Sequence, residues 1–263
     1  MKLIVTADDY GITWAGADGV LMACRRGILT QTGLFSNTEC AKYAVERMIH
    51  EFPNICLGID INIVCGNPVS DPKDVPTMVN ENGSFRSSKS HREEDITNPN
   101  HIPYEEAYLE VKNQVEKFIE LAGKKPEYLN GHSYSTSLLQ EAMKNVANEY
   151  DIPILSDILK RYNLPSGGTT APWNIKPFPL EAQVEADPVA WFKEGKLTYL
   201  DEALKNDGIT HIHVHAGYVD ADTFKRSSYT VVRAKDLELI TCPEILKWVK
   251  DNHVELISVR DLI

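Results

Sequence analysis

Short apolar runs and longer amphipathic segments alternate along this chain. Residues 3–7 form a β-branched apolar run, which predicts a strand covered on both faces, and residues 16–27 carry apolar positions at helical spacing. Strands alternating with helices indicate βαβ units and a parallel sheet. About seven strands are predicted in an α/β fold, and the site is expected at their carboxyl ends, in an open sheet or in a barrel. The other predicted strands are 29–35, 55–64, 126–131, 152–155, 209–214 and 254–258, and the other helices are 41–50, 104–121, 138–150, 188–206 and 243–251.

Two segments interrupt this alternation. Residues 66–103 contain five prolines and the turn pair Asn82-Gly83, and residues 163–179 contain four prolines and Gly167-Gly168. Loops of such length in a compact domain are usually functional or disordered. Because the alternation continues on both sides, we expect loops inserted near the site of a single domain, with 66–103 as a lid or wall rather than a linker.

Composition narrows the class of protein. The 263 residues carry a net charge of -11, and an acidic surface repels nucleic acid and anionic lipid, so neither is expected as a partner. The five cysteines are odd in number and form no CxxC pair, which disfavours a disulfide framework and a thiolate zinc site. No apolar stretch approaches the roughly 20 residues that span a bilayer, and we expect a cytoplasmic protein.

The first candidate catalytic or metal-binding residues are Asp8 and Asp9, which follow the first predicted strand. Adjacent residues of a straight strand face opposite sides, but the nearby Gly11 can let the chain turn so that both carboxylates reach one site. One carboxylate could bind a metal while the other takes a proton from water, and a divalent ion would relieve the repulsion between them. The alternative is a pair of solvated turn residues.

Polar residues also occupy two later strands. Asp60 and Asn62 alternate with apolar residues and share one strand face. In a buried strand Asp60 needs a metal, a cation or hydrogen bonds, whereas in an edge strand both residues lie in water. His132 follows residues 126–131 and could offer a neutral imidazole to a metal, although a lone histidine is more often structural.

Three histidines alternate along one late strand, at His211, His213 and His215. Neighbours at this spacing lie about 6.6–7 Å apart, which makes ligation of one ion by all three awkward. His215 at the carboxyl end is the one placed for chemistry, and the others are interpreted as core or wall residues. No serine nucleophile elbow or phosphate loop follows a strand, so nucleophilic-serine and nucleotide functions lack support.

Taken together, these motifs resemble those of one family. Residues 7–11 (Ala-Asp-Asp-Tyr-Gly) are similar to the ADDYG/ADDFG signature of the YdjC-like carbohydrate deacetylases. Residues 58–62 and 130–134 follow in the expected order as counterparts of G-x-H-x-N and D-S-H-x-H, and 215–218 resembles H-P-G/A-Y/F. Segments 226–229 and 258–262 also look familial, so the resemblance covers essentially the whole chain.

The resemblance implies a distorted (β/α) barrel that removes N-acetyl groups from amino sugars such as chitooligosaccharides. It also implies a divalent ion, usually magnesium, and a small carbohydrate as the partner; a homodimer is a further expectation. The implied roles are metal ligand for Asp9 and His132, general base for Asp8 and general acid for His215. We also expect Asp60 to be a metal ligand, and Asn62, Tyr134 and Arg226 to contact the substrate.

Four positions depart from the family pattern. Asp60 replaces a histidine ligand, Asn130 an aspartate, Tyr134 a second histidine and Ala216 a proline. A carboxylate at position 60 would shift the preference towards Mg²⁺ or Mn²⁺ and away from Zn²⁺. We therefore expect Mg²⁺, with Mn²⁺ and Zn²⁺ as alternatives. Two other functions stay open: a non-catalytic sugar-binding or regulatory protein that retains the barrel, and hydrolysis of a non-sugar amide.

Overall fold

The computed structural model describes residues 1–164 and 179–263. Its strands are β1 (Lys2–Tyr10), β2 (Gln31–Leu34), β3 (Cys56–Ile61), β4 (Leu129–Gly131), β5 (Ile209–Val214) and β6 (Glu255–Ile257). They form one six-stranded sheet in the order β4-β3-β2-β1-β5, with β6 also beside β1, and all of these pairings are parallel. The carboxyl ends of these strands therefore lie at one edge of the sheet.

The central strand is β1, which is buried on both faces after Lys2. It pairs with β5 from Lys2 to Ala7, with β6 from Lys2 to Ile4, and with β2 from Thr6 to Tyr10. The register shifts between Ala7 and Tyr10, where the two aspartates lie. This irregularity at the end of β1 positions the site.

Helices connect and cover the strands. Thr13 caps the first helix, α1 (Trp14–Arg26), through its side chain, which accepts a hydrogen bond from the backbone N–H of Gly16. The longest described helix, α4 (Tyr104–Ala122), ends at Gly123, which has a φ of 67° in the left-handed region. The helices are α1 (Trp14–Arg26), α2 (Ala41–Glu51), α3 (Ser88–Asp95), α4 (Tyr104–Ala122), α5 (Ser137–Tyr150), α6 (Leu155–Arg161), α7 (Leu180–Glu185), α8 (Pro188–Lys193), α9 (Thr198–Lys205), α10 (Ala221–Arg226), α11 (Val231–Thr241) and α12 (Pro243–Asp251), followed by a 3₁₀ turn at Val259–Leu262.

The predicted α/β fold with a parallel sheet is confirmed, with six strands in the described residues where about seven were predicted. The strand predicted at 152–155 is wrong, because a single bridge joins Ile154 to Leu129 and α6 begins at Leu155. The helices α3, α6, α7, α10 and α11 were not predicted. The predicted insertion at 163–179 lies largely outside the described residues.

The long loop, residues 66–103, is fixed to α4 by a buried carboxylate. Glu110 accepts hydrogen bonds from the backbone N–H groups of Val69 and Ser70 at 3.0 and 2.9 Å and from the Ser70 hydroxyl at 2.6 Å. Gln114, one turn later on α4, donates to Glu110 at 2.8 Å. All four bonds are made inside the protein, so they hold the start of the loop in place.

A second anchor fixes the end of the long loop to the segment after β4. His91 and His101 share a hydrogen bond of 2.8 Å between ring nitrogens, and His101 lies 3.1 Å from Asp95. Tyr134 donates its hydroxyl proton to Asp95 at 2.8 Å and stacks on His91. The long loop thus packs as a fixed wall beside the carboxyl end of β4.

None of the described helices combines the length and apolar character needed to cross a bilayer.

Candidate active site

Two adjacent carboxylates occupy the end of β1. Asp8 and Asp9 are both buried, although neighbouring residues of a straight strand point in opposite directions. Asp9 has a φ of 64°, in the left-handed region that aspartate tolerates better than most residues, and Gly11 follows with a φ of 85°. The predicted turn is thus present, and it begins at Asp9 itself. It brings both carboxylates to the same edge of the sheet.

The Asp9 carboxylate lies between the guanidinium of Arg233 and the imidazole of His132. Arg233 of α11 donates from Nη2 to Oδ2 of Asp9 at 2.6 Å, and Nδ1 of His132 lies 2.7 Å from Oδ1, close enough for an ion pair but not aligned as a hydrogen bond. Burial alone would raise the pKa of Asp9, but His132 and Arg233 outweigh it and hold that pKa well below its ordinary value. Asp9 is therefore ionised at neutral pH.

Asp60 lies next to Asp9 on β3 and is also buried. Its Oδ2 accepts the backbone N–H of Asp9 at 3.0 Å, and its Oδ1 accepts from Nδ2 of Asn130 at 3.0 Å. A Cβ atom at Gly33 of β2 would lie 2.1 Å from Asp60 Oδ1, so only glycine leaves room for this carboxylate. Burial, with the charges of Asp8 and Asp9, raises the pKa of Asp60 well above its ordinary value.

Asp8 faces the histidines of β5. The pairing of Thr6 with His213 and of Ala7 with Val214 puts Asp8 level with the carboxyl end of β5. Oδ2 of Asp8 lies 2.6 Å from Nε2 of His213, while Oδ1 is buried without a hydrogen-bond partner. Asp8, His213 and His215 each offer one ligand atom, and these atoms lie within 4.8 Å of one another. The described residues therefore contain a group that can hold a metal ion.

The two histidines of this group differ in charge. Burial lowers the pKa of His213, but Asp8 outweighs burial and raises it to about 9. Burial lowers the pKa of His215 to about 4, so His215 is neutral at neutral pH. A neutral imidazole can bind a metal or accept a proton, and it can donate a proton once it has taken one up.

A small cavity of about 30 Å³ is lined by Asp8 and His213. Thr6 and His211 line it as well, and their Oγ1 and Nε2 atoms are 2.8 Å apart. Such a volume accommodates about one water molecule. His211 therefore belongs to the wall of the site, as predicted, whereas His213 belongs to its centre.

The three predicted substrate contacts have different surroundings. Asn62 is fully buried and bonds the backbone of Val64 and Cys65 through its amide, so it shapes the start of the long loop. Tyr134 is buried and donates to the second loop anchor described above. Arg226 is partly exposed, bonds Glu39 at 2.8 Å and reaches the Ile12 carbonyl at 3.3 Å. Of the three, Arg226 is the side chain open to solvent.

Two residues at the site, Arg233 and Asp236, were not predicted from the sequence. Arg233 lies in a helix that was not predicted, and no motif marks it. Asp236, on the same helix, is buried and accepts the backbone N–H of His215 at 2.7 Å. Burial raises the pKa of Asp236 to about 7. The alternation of histidines along β5 was the one signal that could have brought His213 into the centre of the site.

Comparison with known proteins places these features in a family. A model of the YdjC-like protein family matches residues 2–251. "Carbohydrate deacetylase 2" of Listeria innocua is 30% identical over 268 residues, covering 100% of this chain and 99% of that protein. A "Carbohydrate deacetylase" of Oceanobacillus iheyensis is 29% identical over 255 residues, covering 95% of this chain and 100% of that protein. The crystal structure of a protein from Enterococcus faecalis V583 shares the fold, with a TM-score of 0.76 and 22% sequence identity. The match covers 99% of this chain and 98% of that one.

Proposed function

Because this chain belongs to the YdjC-like protein family, we propose that it is a metal-dependent hydrolase that removes the N-acetyl group of an amino sugar, such as a unit of a chitooligosaccharide. The observation that carries the proposal is the pair of buried carboxylates at the end of β1, surrounded by His132, His213 and His215. Relatives named carbohydrate deacetylases, aligned over 95–100% of this chain, support this substrate class.

The proposed reaction is the hydrolysis of an amide bond. Water adds to the acetyl carbonyl, the C–N bond breaks, and acetate and a free amine leave. A divalent ion supplies Lewis-acid chemistry, which polarises an amide carbonyl and makes water more acidic. A carboxylate takes the proton of the water, and the amine gains a proton as it leaves. The family resemblance assigns these proton transfers to Asp8 and His215, and that assignment stays a prediction.

The residues present suit a divalent ion. Five ionisable side chains on four strands or at their carboxyl ends approach one another: Asp8, Asp9, Asp60, His132 and His213. Isolated buried carboxylates cost several kcal/mol, and a cation among them removes that cost. One oxygen of Asp8 is buried without a hydrogen-bond partner, which is the expected condition of an atom that awaits a ligand.

The test measures acetate released from N-acetylated amino-sugar oligomers, with and without a chelator. We expect release that stops on chelation and returns with added divalent ion. Asp9→Asn should abolish release, whereas Asp151→Asn should not. Asp151 is a matched control, because it is also an aspartate with a positive φ, of 51°, but its side chain is exposed. Binding of the oligomers without release would instead favour a non-catalytic sugar-binding protein.

A further inference from the structure

We infer that helix α3 of the long loop positions His132, and that Arg92 and Asp95 are the residues through which it does so. Both bind the residues that follow His132 rather than the substrate, so they are positioning residues. The inference rests on the proposed function for the role of His132 as a ligand of the divalent ion. It has a readout of its own, which is the conformation of His132 in the metal-free chain.

The strand that leads into His132 is short. β4 has three residues, and its pairing with β3 ends where Gly131 lies opposite Ile61. One further backbone bond follows, from the N–H of His132 to the carbonyl of Ile61 at 2.9 Å. On the other edge of β4, within the described part of the chain, a single bridge joins Leu129 to Ile154. These bonds fix the segment as far as His132, and the residues after it depend on other contacts.

The turn after His132 has a backbone conformation that serine disfavours. Ser133 has a φ of 58°, in the left-handed region, and the N–H of Tyr134 donates to the carbonyl of His132 at 2.6 Å. A conformation of this kind persists only where the surrounding structure holds it. Relaxation of Ser133 towards extended backbone would change the path of the chain at His132, and the imidazole would change direction with it.

Helix α3 contacts both residues of this turn. Nη2 of Arg92 donates to the carbonyl oxygen of Ser133 at 2.6 Å, and a guanidinium makes a stronger bond than a neutral donor. Tyr134 donates its hydroxyl proton to Oδ2 of Asp95 at 2.8 Å, and its ring stacks on His91 with centroids 4.8 Å apart. Arg92 and Asp95 are three residues apart and so lie on one face of α3. Together these contacts oppose relaxation of the turn.

Helix α3 is itself fixed within the long loop. The Ser87 hydroxyl caps its start by accepting the backbone N–H of Ser90 at 3.1 Å. Arg86 donates to the Thr77 carbonyl at 3.2 Å and binds Glu94 of α3 at 2.5 Å. The position of α3 is therefore determined independently of the turn that it contacts, so it can serve as a rigid support for that turn.

The direction of the His132 imidazole matters for the proposed chemistry. Removal of the groups that orient a metal ligand typically lowers metal affinity or activity by about 10–100-fold. Nδ1 of His132 lies 2.7 Å from Oδ1 of Asp9, so a displaced imidazole would also move away from this carboxylate. The long loop thus contributes to the site without supplying a group to the reaction.

The experiment compares Arg92→Met with Arg92→Lys and Lys89→Met in the metal-free full chain. Methionine cannot donate to the Ser133 carbonyl, whereas lysine can. Lys89 is the matched control, because it is an exposed cation one turn earlier in α3 and its partner is Glu93. In heteronuclear NMR, the ring cross-peak of His132, identified by its loss in His132→Gln, should shift or broaden in Arg92→Met. It should keep its original position in Lys89→Met and largely regain it in Arg92→Lys.

Acetate release supplies a second readout. At a saturating concentration of divalent ion, Arg92→Met should lower kcat by about 10–100-fold and change KM by less than about twofold. Arg92→Lys should restore most of kcat. A rise in KM with an unchanged kcat would instead show that Arg92 contacts the substrate, and the inference would be wrong.

Tyr134→Phe tests the other contact, since it removes only the hydroxyl that binds Asp95. It should move the His132 cross-peak as Arg92→Met does, and circular dichroism checks that each variant is folded. A cross-peak that stays in place in both variants, or that moves equally in Lys89→Met, would overturn the inference. If the cross-peak moves as expected but the unsubstituted chain releases no acetate, the positioning of His132 stands and the proposed function is refuted.

Discussion

The buried ion pair between Arg233 and Asp9 should be one of the most sensitive points of the fold. Arg233 is 2% exposed, and its guanidinium bonds Asp9, Ser227 and the Tyr229 carbonyl. Arg233→Met keeps much of the volume of the side chain but removes the charge and these three contacts. The Asp9 carboxylate then stays buried, with the His132 imidazole 2.7 Å from its Oδ1 atom.

Breaking one half of a buried ion pair costs about 3–5 kcal/mol. We expect Arg233→Met to lower the free energy of unfolding by that amount, and the melting temperature by roughly 10 °C for a chain of this size. Asp9→Asn should also destabilise the chain, since it leaves the guanidinium unpaired. The double variant should lose at least about 2 kcal/mol less than the sum of the two single variants, because neither charge is then left alone.

Urea unfolding, followed by circular dichroism, gives the free energy of unfolding of the unsubstituted chain, the two single variants and the double variant. As a control, Lys117→Met removes an exposed partner of Glu120 and should change stability by less than about 1 kcal/mol. If the single losses add within about 0.5 kcal/mol, the two charges do not stabilise one another, and Arg233 is not what compensates the burial of Asp9.

Three further predictions concern other parts of the chain. Gly33→Ala should destabilise the protein by about 2 kcal/mol, because the new Cβ atom overlaps the Asp60 carboxylate. Glu110→Ala should speed proteolysis within residues 66–103 and cost at least about 2 kcal/mol, since it leaves buried N–H donors of the loop unpaired. Burial, assisted by the charge of Arg86, lowers the pKa of His91 from 6.5 to about 4. The folded state therefore binds fewer protons, and stability should be complete above about pH 6.5 and fall by about 3 kcal/mol as the pH drops to 4.

Each of these predictions has a matched control. Gly208→Ala places a Cβ atom 3.8 Å from its nearest neighbour and should be tolerated, so equal losses at both glycines would contradict the steric argument. Glu120→Ala, on the exposed face of α4, should leave the rate of proteolysis unchanged. His91→Gln should remove most of the acid sensitivity between pH 6.5 and 4, whereas His50→Gln on the surface should retain it. An unchanged slope in His91→Gln would show that other groups cause it.

The parallel sheet could be predicted because its strands are short apolar runs between amphipathic helices. Buried strands and long helices dominate the pattern of polar and apolar positions, so β1, β3 and α4 were located to within a few residues. By contrast, α11 carries buried Arg233 and Asp236 among its apolar residues. Polar side chains buried through contacts distant in sequence weaken the amphipathic pattern, and this is why that helix and its arginine were missed.

The sequence predicts where the site lies better than it predicts how the side chains of the site contact one another. Residues at the ends of parallel strands must lie near one another, so the sequence placed Asp8, Asp9, His132 and His215 correctly in one region. Which carboxylate meets which histidine depends on strand register and on the turn at Asp9, and neither is encoded in spacing. For that reason, the contact between Asp8 and His213 became visible only in the structure.

The positive φ of Asp9 affects how truncation experiments at this position are to be interpreted. Alanine is disfavoured in the left-handed region by about 1–2 kcal/mol, whereas asparagine visits it readily. Alanine scanning at position 9 would therefore combine loss of a carboxylate with a shift of the main chain that also carries the N–H bonded to Asp60. Such a variant would move neighbouring groups as well, and asparagine is the replacement that isolates the charge.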